Sequence, residues 1–135
     1  MKKTEVAVKA IVEKNGKVFL VQRQPDDPEQ PSGWELPGGR INAGENPAEG
    51  LKREVKEETG IEVEPLTKIN TRSFQRKDGV TVQMITFACV AKSEKVLLSA
   101  EHASCDWVPV EKAIKQVTPF YTKVLEEYTN IYLKK

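Results

Sequence analysis

Cysteine and histidine are scarce in this sequence of 135 residues, which has two cysteines and one histidine. The two cysteines, Cys89 and Cys105, are too few for a disulfide framework or a cysteine-based zinc site. Cys89 stands in an apolar run, Met84–Ala91, and we expect it to be a small core residue. This run is the longest mostly apolar stretch, and it is far shorter than the roughly 18 residues that a membrane span needs.

The sequence also lacks an excess of charge of either sign, because 21 Lys and Arg against 20 Asp and Glu leave a formal net charge of +1. This balance gives no general attraction to nucleic acid or to an anionic membrane, and we expect neither as a partner. The opening residues, Met-Lys-Lys-Thr-Glu, are not followed by an apolar segment, so no signal peptide is expected and a cytoplasmic location is predicted.

The composition that is present is typical of a soluble globular protein, with 39% hydrophobic and 30% charged residues. Single domains are most often about 100–150 residues long. We therefore predict one domain over residues 1–135.

Turn residues divide the first part of the chain. Two apolar-rich runs, Val6–Glu13 and Lys17–Arg23, are separated by Asn15-Gly16, a pair that favours the type I′ turn of a β-hairpin. A proline-rich, acidic segment over residues 24–33 is predicted to be a solvated loop. A short extended piece over residues 34–36 then precedes a Pro-Gly-Gly turn.

The clearest helix is predicted between Asn46 and Gly60. Asn46 is a suitable N-cap, Pro47 suits the first helical position, Glu49 stands where a capping box needs it, and Gly60 provides a left-handed stop. Three apolar residues at three- and four-residue spacing predict one buried stripe: Ala48, Leu51 and Val55.

After Gly60 the pattern returns to strands. Strands are predicted near residues 61–63, 66–74, 80–91 and 107–110, with a turn at 77–79. Helices are predicted over 111–116 and from Thr118-Pro119 onward, the latter with apolar positions at Phe120, Val124, Leu125, Tyr128, Ile131 and Tyr132. The fold class is therefore α+β, with a mixed sheet between helices.

Three glutamates on the central helix carry the chemical signal. Glu54, Glu57 and Glu58 stand at i, i+3 and i+4, so they share one face of a helix beside the apolar stripe. Carboxylates gathered on one spot are oxygen ligands for a hard divalent cation, Mg²⁺ or alternatively Mn²⁺. Arg53 can reach acidic side chains one turn away and orient a ligand. Each feature alone is more often ordinary surface, so the combination decides.

That combination resembles the Nudix box, the motif of the Nudix hydrolase family, over residues 39–61. The matching positions are Gly39, Glu45, Arg53, Glu54, Val55, Glu57, Glu58, Gly60 and Ile61. Trp-Glu-Leu-Pro-Gly-Gly ahead of the box, and Glu101 ahead of Trp107, are similar to the usual surroundings of the motif.

The resemblance implies an α/β/α sandwich and the hydrolysis of a nucleoside diphosphate linked to another group. It implies that Glu54, Glu57 and Glu58 bind the metal and that the backbone around Gly38-Gly39 approaches it. It further implies that Arg53 and Glu45 hold the loop and helix in register, and that Glu101 adds a ligand or a base. Water would attack a phosphorus of the P–O–P bridge, and either Glu54 or Glu101 would accept its proton.

The substrate is less well determined by the sequence. Chain length and short flanking regions look like mutator-type enzymes and nucleoside triphosphate pyrophosphohydrolases, so a (deoxy)nucleoside triphosphate, cleaved to the monophosphate and pyrophosphate, is the first hypothesis. The alternatives are an ADP-ribose or nucleotide-sugar pyrophosphatase and a non-catalytic nucleotide-sensing module. The complete set of box glutamates argues against the sensing module.

Three residues are candidates for substrate contact. Arg23 stands where it can meet a phosphate or a base edge, and Trp34 and Phe74 can stack on a nucleobase, although packing in the core is an equal interpretation for both aromatics. His102, the single histidine, is interpreted as a loop residue without a function. The sequence leaves open whether the protein is a monomer or a homodimer.

Overall fold

The computed structural model describes residues 4–132, and this part of the chain forms seven strands and three α-helices. The strands are β1 (Thr4–Lys14), β2 (Lys17–Arg23), β3 (Trp34–Glu35), β4 (Gly38–Arg40), β5 (Val63–Gln75), β6 (Thr81–Ala91) and β7 (His102–Pro109). The helices are α1 (Pro47–Thr59), α2 (Val110–Gln116) and α3 (Thr122–Tyr132), with a 3₁₀ turn (Pro119–Tyr121) before α3. Among the described residues, every helix is too short or too polar to cross a bilayer.

The strands form one mixed sheet in the order β3-β2-β1-β6-β5, with β4 paired to β1 and β7 to β2. The hairpin prediction is confirmed, since Asn15 and Gly16 have φ values of 52° and 78° between β1 and β2. Strand β1 pairs in parallel with β6, and the other pairs are antiparallel.

Strands β1 and β2 separate soon after their turn, and this separation makes room for the site. They pair only at Glu13↔Val18 and Lys14↔Lys17. Farther along, β3 pairs with β2 and β4 pairs with β1, so the segment 34–40 fills the gap between them. The Pro37 carbonyl accepts a hydrogen bond from the Ala10 amide at 2.9 Å, which fixes the Pro-Gly-Gly turn against the middle of β1.

Helix α1 begins and ends where the sequence predicted. The Asn46 side chain accepts hydrogen bonds from the backbone amides of Ala48 and Glu49, and Gly60 closes the helix at φ 77°. The Glu49 carboxylate, assigned to a capping box, pairs with Lys52 Nζ at 3.3 Å. The buried stripe is confirmed at Leu51 and Val55, whereas Ala48 is half-buried.

Two apolar layers lie on opposite faces of the sheet, which confirms the predicted sandwich. On one face α1 contributes Leu51 and Val55 to a core cluster that also includes Cys89, so Cys89 is a core residue as expected. On the other face the 3₁₀ turn, α2 and α3 cover a second cluster. Helix α1 is thus packed on the sheet, and Glu54 and Glu58 on its polar face lie beside Gly38 and Gly39 in the gap.

The structure differs from the sequence prediction in the last third of the chain. Strand β7 begins at His102 instead of Trp107, because it pairs with β2 from Lys17↔Pro109 to Arg23↔His102. The C-terminal helix begins with a 3₁₀ turn, and Ile131, predicted as apolar packing, is 52% exposed.

Candidate active site

The turn Gly38-Gly39 and helix α1 meet at one end of a cleft. The Gly38 amide donates a hydrogen bond to Glu58 Oε1 at 3.1 Å. A Cβ on Gly39 would lie 2.8 Å from Glu54 Oε2, so a side chain there would displace that carboxylate. Gly38 has φ 137°, and a Cβ there would lie 2.0 Å from the Val8 carbonyl oxygen. The two glycines therefore place bare backbone beside both carboxylates.

The three box glutamates occupy different environments. Glu58 is buried, Glu54 is half-buried, and the Glu57 side chain is 58% exposed. Glu54, Glu58 and Glu101 line the same cleft. Glu57 points to Arg53 instead, with its carboxylate oxygens 3.0 and 3.2 Å from Arg53 Nη1.

Arg53 connects the helix to the loop before it. Its Nε and Nη2 donate to the two carboxylate oxygens of Glu45 at 2.8 and 2.9 Å, a bidentate geometry. Glu45 Oε1 also accepts from the Asn42 amide at 2.9 Å, which closes the loop. These hydrogen bonds lower the pKa of Glu45 to about 2. The arrangement is the one expected of two residues that hold loop and helix in register.

Two of the carboxylates that face the cleft, those of Glu54 and Glu58, are poorly solvated. Burial raises the pKa of Glu58 to about 7, although Lys9 and the Gly38 amide act in the opposite direction. Burial, followed by the charges of Glu57 and Glu101, also raises the pKa of Glu54, although Arg53 opposes the rise. Too little positive charge therefore lies near the carboxylates of Glu54 and Glu58 to offset their burial.

A buried network that the sequence analysis missed lies beneath the Pro-Gly-Gly turn. Its centre is Glu35, which accepts hydrogen bonds from Arg23 Nε at 3.0 Å and Tyr121 Oη at 3.3 Å, lies 3.4 Å from Lys9 Nζ, and has His102 Nε2 at 3.1 Å. Burial alone would raise the pKa of Glu35, but Lys9, His102 and Arg23 hold it well below its usual range. Glu35 is therefore an ionised buried carboxylate.

Lys9 joins this network to the glycine turn. Its Nζ donates to the carbonyl oxygens of Leu36 at 3.1 Å and Gly38 at 3.4 Å. Burial acts to lower the pKa of Lys9, but Tyr121 and Glu35 raise it above its ordinary value. Lys9 stands within an apolar strand, and the one available signal was that a charged residue interrupts the run Val6–Val12.

Comparisons with known proteins agree with this geometry. A family model described as NUDIX domain matches residues 1–128. The chain belongs to the Nudix hydrolase family. Among relatives of this Nudix protein, the CTP pyrophosphohydrolase of Escherichia coli is 33% identical over 115 residues, 85% of this chain and 82% of that protein. A solved structure, that of a MutT protein from Methanosarcina mazei Go1, has a TM-score of 0.83 at 28% identity and covers 98% of both chains.

A further relative of this Nudix chain is much longer. A protein of Myxococcus xanthus named octanoyltransferase is 37% identical over 109 residues, which are 77% of this chain but 29% of that protein. The Nudix chain thus spans less than a third of that relative, and the activity of that protein as a whole is not carried over.

The residues present fit the divalent cation that the Nudix family implies. Three carboxylates that line the cleft, those of Glu54, Glu58 and Glu101, offer oxygen donors, and two of them lack balancing charge. Within residues 4–132 no group of three acidic, His or Cys side chains is close enough to hold an ion. Mg²⁺ commonly takes one or two protein carboxylates and completes its shell with water and substrate phosphate. An incompletely closed set of donors is compatible with that mode of binding.

The three predicted substrate contacts of this Nudix chain lie in different places. Phe74 lines the cleft and packs edge-on against Phe120, with ring centroids 5.1 Å apart. Arg23 lines the cleft too, but it is held by Glu35 and by Asp27 at 3.2 Å. Trp34 packs against the core under α2 and α3, which is the alternative given for it above.

His102 corrects the sequence analysis. It is the first residue of β7, only 6% exposed, and its Nε2 is hydrogen-bonded to Glu35, so it is a buried strand residue and not a loop residue. No local pattern indicates this contact, since the partner Glu35 is 67 positions away.

Proposed function

We propose that this Nudix hydrolase is a Mg²⁺-dependent pyrophosphohydrolase that cleaves a (deoxy)nucleoside triphosphate to the monophosphate and pyrophosphate, with Mn²⁺ as an alternative cation. The observation that carries the proposal is the meeting of Glu54 and Glu58 with the Gly38-Gly39 backbone, with Glu101 lining the same cleft. The likeness to a CTP pyrophosphohydrolase over 85% of this chain supports a nucleoside triphosphate as substrate.

The metal ligands in this proposal are Glu54, Glu57, Glu58, Glu101 and the backbone at Gly38. Glu58 and Glu54 already face the cleft, whereas Glu57 is paired with Arg53 and would join the set by leaving that pair. The cation, when bound, neutralises phosphate charge and lowers the pKa of a water molecule. Arg53 and Glu45 keep α1 and its preceding loop in register.

The chain's own residues then handle the proton and the nucleotide. A carboxylate oxygen of Glu101 or Glu54 accepts the proton of the attacking water. Phe74 offers an aromatic face for the base, and Arg23 offers a cationic edge that is partly neutralised by Glu35 and Asp27. Trp34 packs against the apolar cluster under α2 and α3, and its stacking on a nucleobase stays a prediction.

A substrate panel tests the proposal. Purified protein with Mg²⁺ is given nucleoside triphosphates, deoxynucleoside triphosphates, ADP-ribose and nucleotide sugars, and products are separated by chromatography. Monophosphate and pyrophosphate from a triphosphate, abolished by EDTA and restored by Mg²⁺, are the expected result. Preference for ADP-ribose or a nucleotide sugar would replace the substrate assignment, and nucleotide binding without any turnover would favour a sensing module.

The same assay separates the two candidate bases. Glu54→Gln and Glu101→Gln are compared by the pH dependence of kcat/KM, because loss of the base removes the acidic limb of the profile.

The remaining predictions from the sequence are one domain over residues 1–135, a cytoplasmic location and no nucleic-acid or membrane partner. Analytical ultracentrifugation distinguishes the monomer from the homodimer.

A further inference from the structure

The segment between β6 and β7 crosses the C-terminal end of helix α1 and is bonded to it. The Leu97 amide donates to the Thr59 carbonyl at 2.8 Å, and the Ser99 amide donates to the Glu58 carbonyl at 2.8 Å. These are carbonyl oxygens of the last turn, which has no partners within the helix. We call residues 97–102 the brace, since it spans from this helix end to the start of β7.

The other end of the brace is held by His102. Its Nε2 lies 3.1 Å from Glu35 Oε2, and its backbone amide donates to the Ser99 carbonyl at 3.3 Å. An ionised carboxylate only accepts hydrogen bonds, so Nε2 carries the proton. Glu35 is itself fixed by Lys9, Arg23 and Tyr121, which makes it a firm anchor.

The histidine is not explained by packing alone. Its Nδ1 and the Ser99 hydroxyl are both buried, and neither has a hydrogen-bond partner among residues 4–132. A buried polar atom without a partner carries a desolvation cost that an apolar residue would avoid. The hydrogen bond between His102 Nε2 and Glu35 offsets this cost, and an apolar side chain could not form it.

Glu101 stands between the two anchors. It is exposed, lines the cleft and raises the pKa of Glu54 by its charge, so the two carboxylates face the same space. One anchor is the backbone of Glu58 on α1, and the other is Glu35 beside the glycine turn. The position of the Glu101 side chain therefore depends on both anchors.

We propose that His102 is a positioning residue that, through its Nε2 bond to Glu35, holds Glu101 at the cleft opposite Glu54. This inference rests on the proposed function, because it assigns His102 to the placement of a group with a proposed role in hydrolysis. This placement predicts that the effect of the bond on turnover depends on Glu101, which a general fold contact would not require.

Two amide substitutions isolate the bond. The amide nitrogen of glutamine falls near the position of Nε2, whereas that of asparagine falls near Nδ1 and does not reach Glu35. We expect His102→Asn to lower kcat about tenfold or more with KM changed less than about twofold, because misplacement by about 1 Å can cost up to about 100-fold. His102→Gln should recover most of the lost kcat. Cys105→Ala, also in β7 but outside the brace, controls for general loosening of the strand.

A double-mutant cycle decides whether the effect passes through Glu101. In a Glu101→Gln background, His102→Asn should cause no further loss of kcat. Equal losses in both backgrounds, or Glu101→Gln with full activity, would overturn the proposal. So would His102→Asn with wild-type kcat, or His102→Gln no better than His102→Asn.

Readouts independent of turnover keep the proposal distinct from the proposed function. Nitrogen NMR of the metal-free protein should show the Nε2–H form of His102, and His102→Asn, but not His102→Gln, should speed amide hydrogen exchange at Ser99. If the substrate panel shows no turnover while both NMR results hold, the proposed function fails and the brace stands as a structural clamp only, which overturns the catalytic placement. An Nδ1–H tautomer would overturn the bond itself.

Discussion

The three glutamates that the motif groups on one helix face have different surroundings in the structure. Glu54, Glu57 and Glu58 share one helix face, yet Glu58 is buried against the Gly38 amide and Glu57 is exposed beside Arg53. The difference arises because α1 packs on the sheet through Leu51 and Val55, which turns Glu58 inward. The motif therefore assigns a shared role to residues whose replacement will affect stability very differently.

Glu57→Gln should abolish activity while sparing the fold. We expect metal-dependent turnover to fall about 100-fold or more, since even outer partners of a metal ligand cost about 10–100-fold. The melting temperature should change little, because the exposed pair with Arg53 contributes under about 1 kcal/mol. Glu49→Gln, on the same helix and paired with Lys52, is the control and should retain activity. Full turnover of Glu57→Gln at saturating Mg²⁺ would contradict the ligand role.

Elements whose ends are set by local signals were predicted well, and those set by distant partners were not. Asn46 and Gly60 cap α1 by bonds within a few residues, and Asn15-Gly16 makes its hairpin in the same local way. Strand β7 starts at His102 because it pairs with β2. The polar sequence around Ser104 does not predict this pairing. The buried network around Glu35 escaped prediction for the same reason, since its members come from separate elements.

Gly60 is constrained at the end of α1 both by its left-handed backbone conformation and by the close approach of Leu97. Comparison with a second glycine separates the two effects. It adopts φ 77°, and a Cβ there would lie 3.0 Å from the Leu97 amide nitrogen in the brace. Gly60→Ala should therefore destabilise the protein by more than the about 1–2 kcal/mol of left-handed strain alone. Gly79 has φ 86° with nothing within 4 Å of an added Cβ, so Gly79→Ala shows the strain without the contact. Equal losses of unfolding free energy for Gly60→Ala and Gly79→Ala, measured by urea unfolding, would mean that the brace shifts to accommodate the added Cβ at no measurable cost.

At the scale of the whole molecule, one buried carboxylate joins five elements. Glu35 in β3 is bonded to Lys9 in β1, Arg23 in β2, His102 in β7 and Tyr121 in the 3₁₀ turn. The nearly neutral chain thus concentrates charge under the cleft, where the glycine turn and the brace are both attached. The network links the integrity of the site to that of the sheet.

Glu35→Gln should reveal this link in the pH dependence of stability. The pKa of Glu35 is lowered in the folded state, chiefly by Lys9, His102 and Arg23 acting against burial. Its contribution is therefore complete above the ordinary carboxyl pKa of about 4.3 and is lost as the pH falls through the lowered folded value. Removing one partner of a buried ionic group costs about 3–5 kcal/mol, because the other charges stay buried.

The measurement is urea unfolding of the metal-free protein from neutral to acid pH. The gap in unfolding free energy between wild type and Glu35→Gln should narrow below about pH 4, because the Glu35 carboxylate of the unfolded wild-type chain then binds a proton while that of the folded protein stays ionised. Glu111→Gln, at an exposed position on α2, should follow the wild-type curve. A gap that stays constant down to pH 2 would show that Glu35 contributes through shape and neutral hydrogen bonds, because ionisation of the network would then add nothing to folding.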